Sequence, residues 1–112
     1  MSAINNKIID EAVSFQWDDG NSDKNWIKHG ISQTECEQVF FNVPLLVFDD
    51  TRHSQHEERF FALGRTDAGK GLFLVFTYRD QSLIRIISAR RMTKTERYYY
   101  NLGEKRGPLY GN

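Results

Sequence analysis

Residues 59–90 constrain the fold more than any other part of the chain. Arg59–Arg65 alternates, with Arg59, Phe61, Leu63 and Arg65 on one side. Leu72–Arg79 is dense in Phe, Val, Thr and Tyr, and Leu83–Arg90 carries Ile84, Ile86 and Ile87. Aromatic and β-branched residues fit the pleated surface of a sheet. Between these runs lie Thr66-Asp67-Ala68-Gly69-Lys70-Gly71 and Asp80-Gln81-Ser82, both rich in turn formers. Strand-like runs joined by short turns predict an antiparallel meander. The short apolar run Leu45–Asp49 adds a fourth strand, and Phe15-Gln16-Trp17 alternates as a short edge strand would.

Helix signals flank the meander. Asp18-Asp19-Gly20-Asn21 is turn chemistry, because Asp and Asn bond their own backbone and Gly accepts positive φ. A short helix is expected over Ser22–His29, with Gly30 as a left-handed cap. Ser32-Gln33-Thr34-Glu35 matches a capping box, and Ile31 with Cys36 forms a hydrophobic staple. Cys36, Val39 and Phe40 share one helical face. That helix should stop before Pro44, since the residue preceding proline disfavours the helical region. Thr93-Lys94-Thr95-Glu96 is a second capping box, opening a last helix through Tyr98-Tyr99-Tyr100. The expected fold is α+β: two N-terminal helices packed on a four-stranded antiparallel sheet, followed by a C-terminal helix. The helices should cover one face and leave the other open. Residues 1–14 read as an N-terminal extension, 15–103 as the domain and 104–112 as a tail. At 112 residues a single domain is expected.

Charge divides the chain in two. Residues 1–58 hold four Lys/Arg against eleven Asp/Glu, a net of −7. Residues 59–112 hold eleven against four, a net of +7. The formal total of zero therefore hides a polarised sequence. A basic half suits a polyanion, and an acidic half of the same chain could equally receive those arginines. With Cys36 as the one cysteine, no internal disulfide forms, as in a reducing compartment. Glu35 and Glu37 beside it would raise its thiol pKa, so a buried core role is expected. No export signal stands out in residues 1–30, and no run approaches the roughly 20 apolar residues of a membrane span. A cytoplasmic location is expected. His29, His53 and His56 lack partners at metal-ligand spacing, so no metal site is expected. His29 suits the end of a helix, where a cation meets the dipole.

The stretch from Ile84 to Arg97 is the least ordinary. If β alternation is uniform, Arg85 shares a face with Ile87 and Ala89, while Arg90 shares the other with Ile84, Ile86 and Ser88. Guanidinium groups offer phosphate a planar fork of donors and stay charged. The adjacent Tyr98, Tyr99 and Tyr100 provide surfaces on which unpaired bases stack, with at least one of them packing in the core. Cleavage of RNA without metal needs the 2′-hydroxyl deprotonated, the phosphate charge stabilised and the leaving oxygen protonated. The candidate catalytic set is His53, Glu57, Glu58, Arg85 and Tyr99, with Glu96 a further carboxylate near the basic cluster. Arg65, Arg79, Arg90 and Arg91 are the candidate phosphate ligands, and Arg59 a candidate partner for a neighbouring carboxylate. No cofactor is expected.

Many short blocks in this chain resemble the BrnT family of bacterial type II toxin–antitoxin toxins. They are Phe15-Gln16-Trp17-Asp18, Asn25 with Lys28-His29-Gly30-Ile31, Glu35 with Val39-Phe40, Pro44 and Val47-Phe48-Asp49-Asp50. His53, Glu57-Glu58-Arg59-Phe60, Leu63-Gly64-Arg65, Ile84–Arg91 and Glu96-Arg97 follow in order, so the resemblance spans about residues 15–100. It departs at Asn21, where a lysine is common, and at Tyr98-Tyr99-Tyr100, where arginines are usual. The resemblance implies a RelE-like fold with its helices on one side of an antiparallel sheet. It implies a metal-independent ribonuclease that arrests translation. It also implies a BrnA-like ribbon-helix-helix antitoxin that neutralises the toxin, the pair meeting DNA through the antitoxin. A module that binds RNA or antitoxin without cleaving is the competing reading.

Overall fold

In the computed structural model, residues 13–22, 29–50, 57–80 and 82–105 are described. Their elements run β1 (Ser14–Phe15), α1 (Gln33–Val39), β2 (Leu46–Asp49), β3 (Arg59–Arg65), β4 (Gly71–Asp80), β5 (Leu83–Arg91) and α2 (Lys94–Lys105). The meander is present as expected: β2 to β5 pair antiparallel in sequence order. The turn at 66–71 is closed by Thr66 N–H donating to the Lys70 carbonyl at 2.9 Å, with Gly69 at φ +85°. The sheet is nevertheless five-stranded and mixed, in the order β1-β5-β4-β3-β2, because β1 adds to the outer edge of β5 in parallel. Ser14 N–H donates to the Ser82 carbonyl and Gln16 N–H to the Ile84 carbonyl, both at 2.8 Å. The four-stranded, wholly antiparallel expectation is corrected on this point. The edge strand expected at Phe15-Gln16-Trp17 is present, at Ser14–Phe15, but its parallel pairing was not legible because its partner lies far along the chain.

Side chains from alternate positions make two apolar clusters, one on each face. The larger joins Val47, Phe60, Ala62, Leu72, Leu74, Phe76, Ile84, Ile86 and Ala89 to Ile31, Cys36, Val39 and Phe40 around α1. The Ser32 hydroxyl accepts from Glu35 N–H at 3.1 Å, and the Glu35 carboxylate accepts from Ser32 N–H at 3.0 Å, so the expected capping box forms. Helix α1 then lies so close to β3 that a Cβ on Gly64 would sit 2.5 Å from Val39 Cγ1. The smaller cluster joins Leu46, Leu63, Met92 and Tyr100, with Phe48 and Phe73 packed against it. It places α2 on the other face, where the Tyr100 hydroxyl donates to the Pro44 carbonyl at 2.8 Å. Both described helices on one side is therefore the second correction. Met92 and Tyr100 carry enough apolar surface to pull α2 onto the face opposite α1. The expected helix over 22–29 lies mostly outside the described residues. Its last position, His29, is helical, and Gly30 follows at φ +66°.

A bulge in β5 changes which side chains share a face. Val75 pairs with Ser88 and Phe76 with Ile86, which leaves Ile87 as an extra residue. Cross-strand partners share a face, so Phe73 with Arg90, Val75 with Ser88 and Thr77 with Arg85 all point one way. Uniform alternation would have put Arg85 and Arg90 on opposite faces. The bulge brings them to the same one, away from α1. Ile84, Ile86 and Ala89 stay in the core.

Candidate functional site

Among the described residues, the face opposite α1 is covered by α2 at one end only. Arg59, Phe61, Leu63 and Arg65 of β3 point to it, as do Phe73, Val75 and Thr77 of β4. Phe48 stacks on Phe61 with ring centroids 5.0 Å apart, and Phe61 on Phe73 at 5.4 Å. The guanidinium of Arg90 closes the row, 4.1 Å from the Phe73 centroid. Arg90 is also gripped by Glu96, Nη1 to Oε1 at 2.7 Å and Nη2 to Oε2 at 2.8 Å. Glu96 is the third helical residue of the α2 capping box, accepting from Thr93 N–H at 2.9 Å while its own N–H donates to the Thr93 hydroxyl at 3.2 Å. One carboxylate thus caps the helix and fixes the arginine. The hydrogen bonds from Arg90 hold the Glu96 carboxyl below its ordinary range, and Glu96 in turn raises Arg90.

The other end of this face gathers Arg79, Arg85, Glu57 and Asp18. Arg79 Nη1 lies 3.1 Å from Glu57 Oε2, and both side chains are partly open to solvent. Arg85 takes Asp18 in a fork, Nη1 to Oδ2 at 2.7 Å and Nη2 to Oδ1 at 3.1 Å, with Gln16 Oε1 at 3.2 Å from Nη1. The Asp18-Asp19-Gly20-Asn21 turn positions that carboxylate. Asp18 Oδ1 accepts from Gly20 N–H at 2.9 Å, and the Asp18 carbonyl accepts from Asn21 and Ser22 N–H. A Cβ on Gly20 would fall 2.8 Å from Arg85 Nη2, so glycine lets the guanidinium lie against the turn. Asn21 is buried and ties the turn to the sheet, its amide donating to the Gln16 carbonyl at 3.0 Å and the Ile86 carbonyl at 2.9 Å. Where the resemblance would put a lysine, this chain has a staple. Arg85, then the Gly20 N–H, hold the Asp18 carboxyl below its usual range, and the field of Arg79 adds to this.

The site residues expected from sequence are thus divided between the two ends. Glu57, Arg79 and Arg85 come together. Glu58 sits beside them, exposed, its carbonyl accepting the Thr77 hydroxyl at 2.6 Å. Arg65, half-buried, lies towards the α2 end with Arg90, whereas Arg91 pairs with Leu72 and points, exposed, to the α1 side, so it does not join this face. Tyr99 is on the outer side of α2, away from Glu57 and Arg79, and Tyr100 is the tyrosine that packs inward. His53 lies outside the described residues, in the segment just before Glu57. His29 is exposed at its helix end. Cys36 is buried and burial pushes its thiol up to about 12, which removes it from nucleophilic chemistry. Asp18 and the Phe48–Phe61–Phe73 row were not singled out from sequence. A pattern of turn formers hides the first, and the second appears only when three strands are in register.

Chemically, this face offers guanidinium groups beside a solvent-accessible carboxylate, with planar aromatic surface between its ends. The fold and that face define a small α+β domain suited to a phosphate-bearing ligand. The family of the ribonuclease toxin BrnT, of type II toxin–antitoxin systems, matches residues 17–96, and the chain belongs to that family. The family's activity is that of a ribonuclease, and a type II toxin is paired with an antitoxin. No curated protein matches the chain. No helix among the described residues is long and apolar enough to cross a membrane.

Proposed function

We propose that the protein cleaves RNA without a metal ion at the Glu57–Arg79–Arg85 end of the open sheet face. The observation that carries this reading is the Arg79–Glu57 pair at 3.1 Å, solvent-accessible and next to Arg85. In the reaction the 2′-oxygen attacks its adjacent phosphorus and the bond to the 5′-oxygen breaks, leaving a 2′,3′-cyclic phosphate and a 5′-hydroxyl. Glu57 takes the 2′-proton, being an accessible carboxylate aligned by Arg79. Arg79 and Arg85 stabilise the charge that builds on the phosphoryl oxygens. His53 is the candidate donor of a proton to the leaving oxygen. Arrest of translation follows from loss of messenger RNA, and a BrnA-like ribbon-helix-helix antitoxin neutralises the protein in the cytoplasm.

The test is cleavage of a labelled RNA by purified protein in EDTA, with Glu57→Gln and Arg79→Ala beside wild type. Each variant should lose about a hundredfold or more in rate while keeping its circular dichroism spectrum. Full activity in both would place the site elsewhere. A second reading, a module that binds without cleaving, is favoured by the forks that Asp18 and Glu96 already make to Arg85 and Arg90. Wild-type protein that binds RNA and leaves it intact, with or without divalent ions, would support that reading instead.

A further inference from the structure

Helix α2 carries a second surface that the scission site does not use. Tyr98 and Tyr99 are 62% and 59% exposed, although large aromatic side chains gain most from burial. Their rings meet edge to face with centroids 5.8 Å apart. Tyr100 alone of the run turns inward and supplies the packing that α2 needs. Lys94, Arg97 and Tyr98 fall at helical spacings of three and four, and all are exposed, as are Thr95, Tyr99 and Asn101. Arg91, which ends the strand leading into the helix, pairs with Leu72 and so points to the α1 side. The one acidic residue in the first turn, Glu96, is folded back on Arg90, so its charge is already matched. From Lys94 to Asn101 the outer side is therefore cationic and aromatic.

We infer that this outer side of α2 binds single-stranded RNA, with Tyr98 and Tyr99 as stacking platforms for unpaired bases and Lys94 and Arg97 as phosphate ligands. The charge is complementary to a polyanion, and exposed ring faces suit bases that no second strand covers. A duplex would offer phosphates but no free base faces. The inference rests on the ribonuclease reading above and extends it from the scission site to where the strand is held. β5 runs from Arg85 to Arg91 at about 3.3 Å per residue, so the two places lie roughly 20 Å apart along the sheet. A strand held at both has several nucleotides between them. Substrate length, rather than base identity at the cut, is then what α2 reads.

The experiment is fluorescence anisotropy of the full chain with a labelled 2′-O-methyl oligouridine, which the 2′-hydroxyl chemistry cannot cut. Tyr98→Ala with Tyr99→Ala should weaken binding about tenfold or more, and Tyr98→Phe with Tyr99→Phe should restore it. Lys94→Ala and Arg97→Ala should each flatten the log–log salt dependence by about 0.7. Alanine variants that bind like wild type, while wild type still cleaves ordinary oligouridine in EDTA, would overturn the inference and leave the ribonuclease reading intact. Wild type that neither binds nor cleaves would remove both. If the alanine variants instead lose binding to a poly-glutamate peptide and keep RNA, the surface belongs to an acidic protein partner and the inference is wrong.

Discussion

A single carboxylate does two jobs at Glu96. It satisfies the first turn of α2 and forks onto Arg90, which itself lies over Phe73. Because its folded pKa is held below the ordinary 4.5, its stabilising effect is complete above that value and is lost as pH falls through the folded one. Glu96→Gln keeps an acceptor for Thr93 and removes the charge. The variant should be less stable by about 1 kcal/mol at neutral pH, and the gap should close on acidification. Thermal midpoints of both proteins from about pH 7 to about pH 3 check this; a gap that persists at the acid end would contradict it. At this scale the sequence was legible where chemistry is local. Both capping boxes, the Gly30 conformation and the burial of Cys36 follow from neighbours in the chain, whereas positive φ falls at Gly69 rather than in the Asp18–Asn21 turn. Asp18 was legible as a turn former only. Its grip on Arg85 depends on a residue 67 positions away.

Between elements, fit is closest where α1 crosses β3. Gly64 has no room for even a methyl group, since both the Val39 side chain and its carbonyl stand in the way. Gly64→Ala must push α1 off the sheet, and overpacking of this kind costs about 1–3 kcal/mol. Urea unfolding should show a lower midpoint with an unchanged slope, and an unaltered midpoint would mean that α1 gives way freely. The meander and its strand limits were readable because turns and β-rich runs alternate. The side of the sheet that α2 takes was not, because Tyr98, Tyr99 and Tyr100 are equivalent until one meets Leu46 and Leu63. Nor was the Ile87 bulge. A strand apolar on both parities gives no sign of where an extra residue has been slipped in.

Across the whole molecule, the opposite charges of the two halves are partly spent on each other. Lys70–Glu35, Arg79–Glu57 and Arg85–Asp18 all join the acidic half to the basic one. The exposed cations Lys94 and Arg97 remain on the outer side of α2. A protein with a formal charge of zero should therefore still be retained on heparin at neutral pH and low salt. Lys94→Glu with Arg97→Glu should elute distinctly earlier, and passage of wild type through the column would contradict a polarised surface. The cross-links between halves have one more consequence, for synthesis. A ribosome makes β1 and the Asp18 turn among the first described residues and β5 near the last. Until β5 emerges, β1 has no edge to join and Asp18 has no guanidinium to hold. A chain that stalls before Leu83 is therefore left with an unfinished sheet and no arginine cluster. The Asp18–Arg85 fork and the β1–β5 edge can therefore form only after β5 has been made.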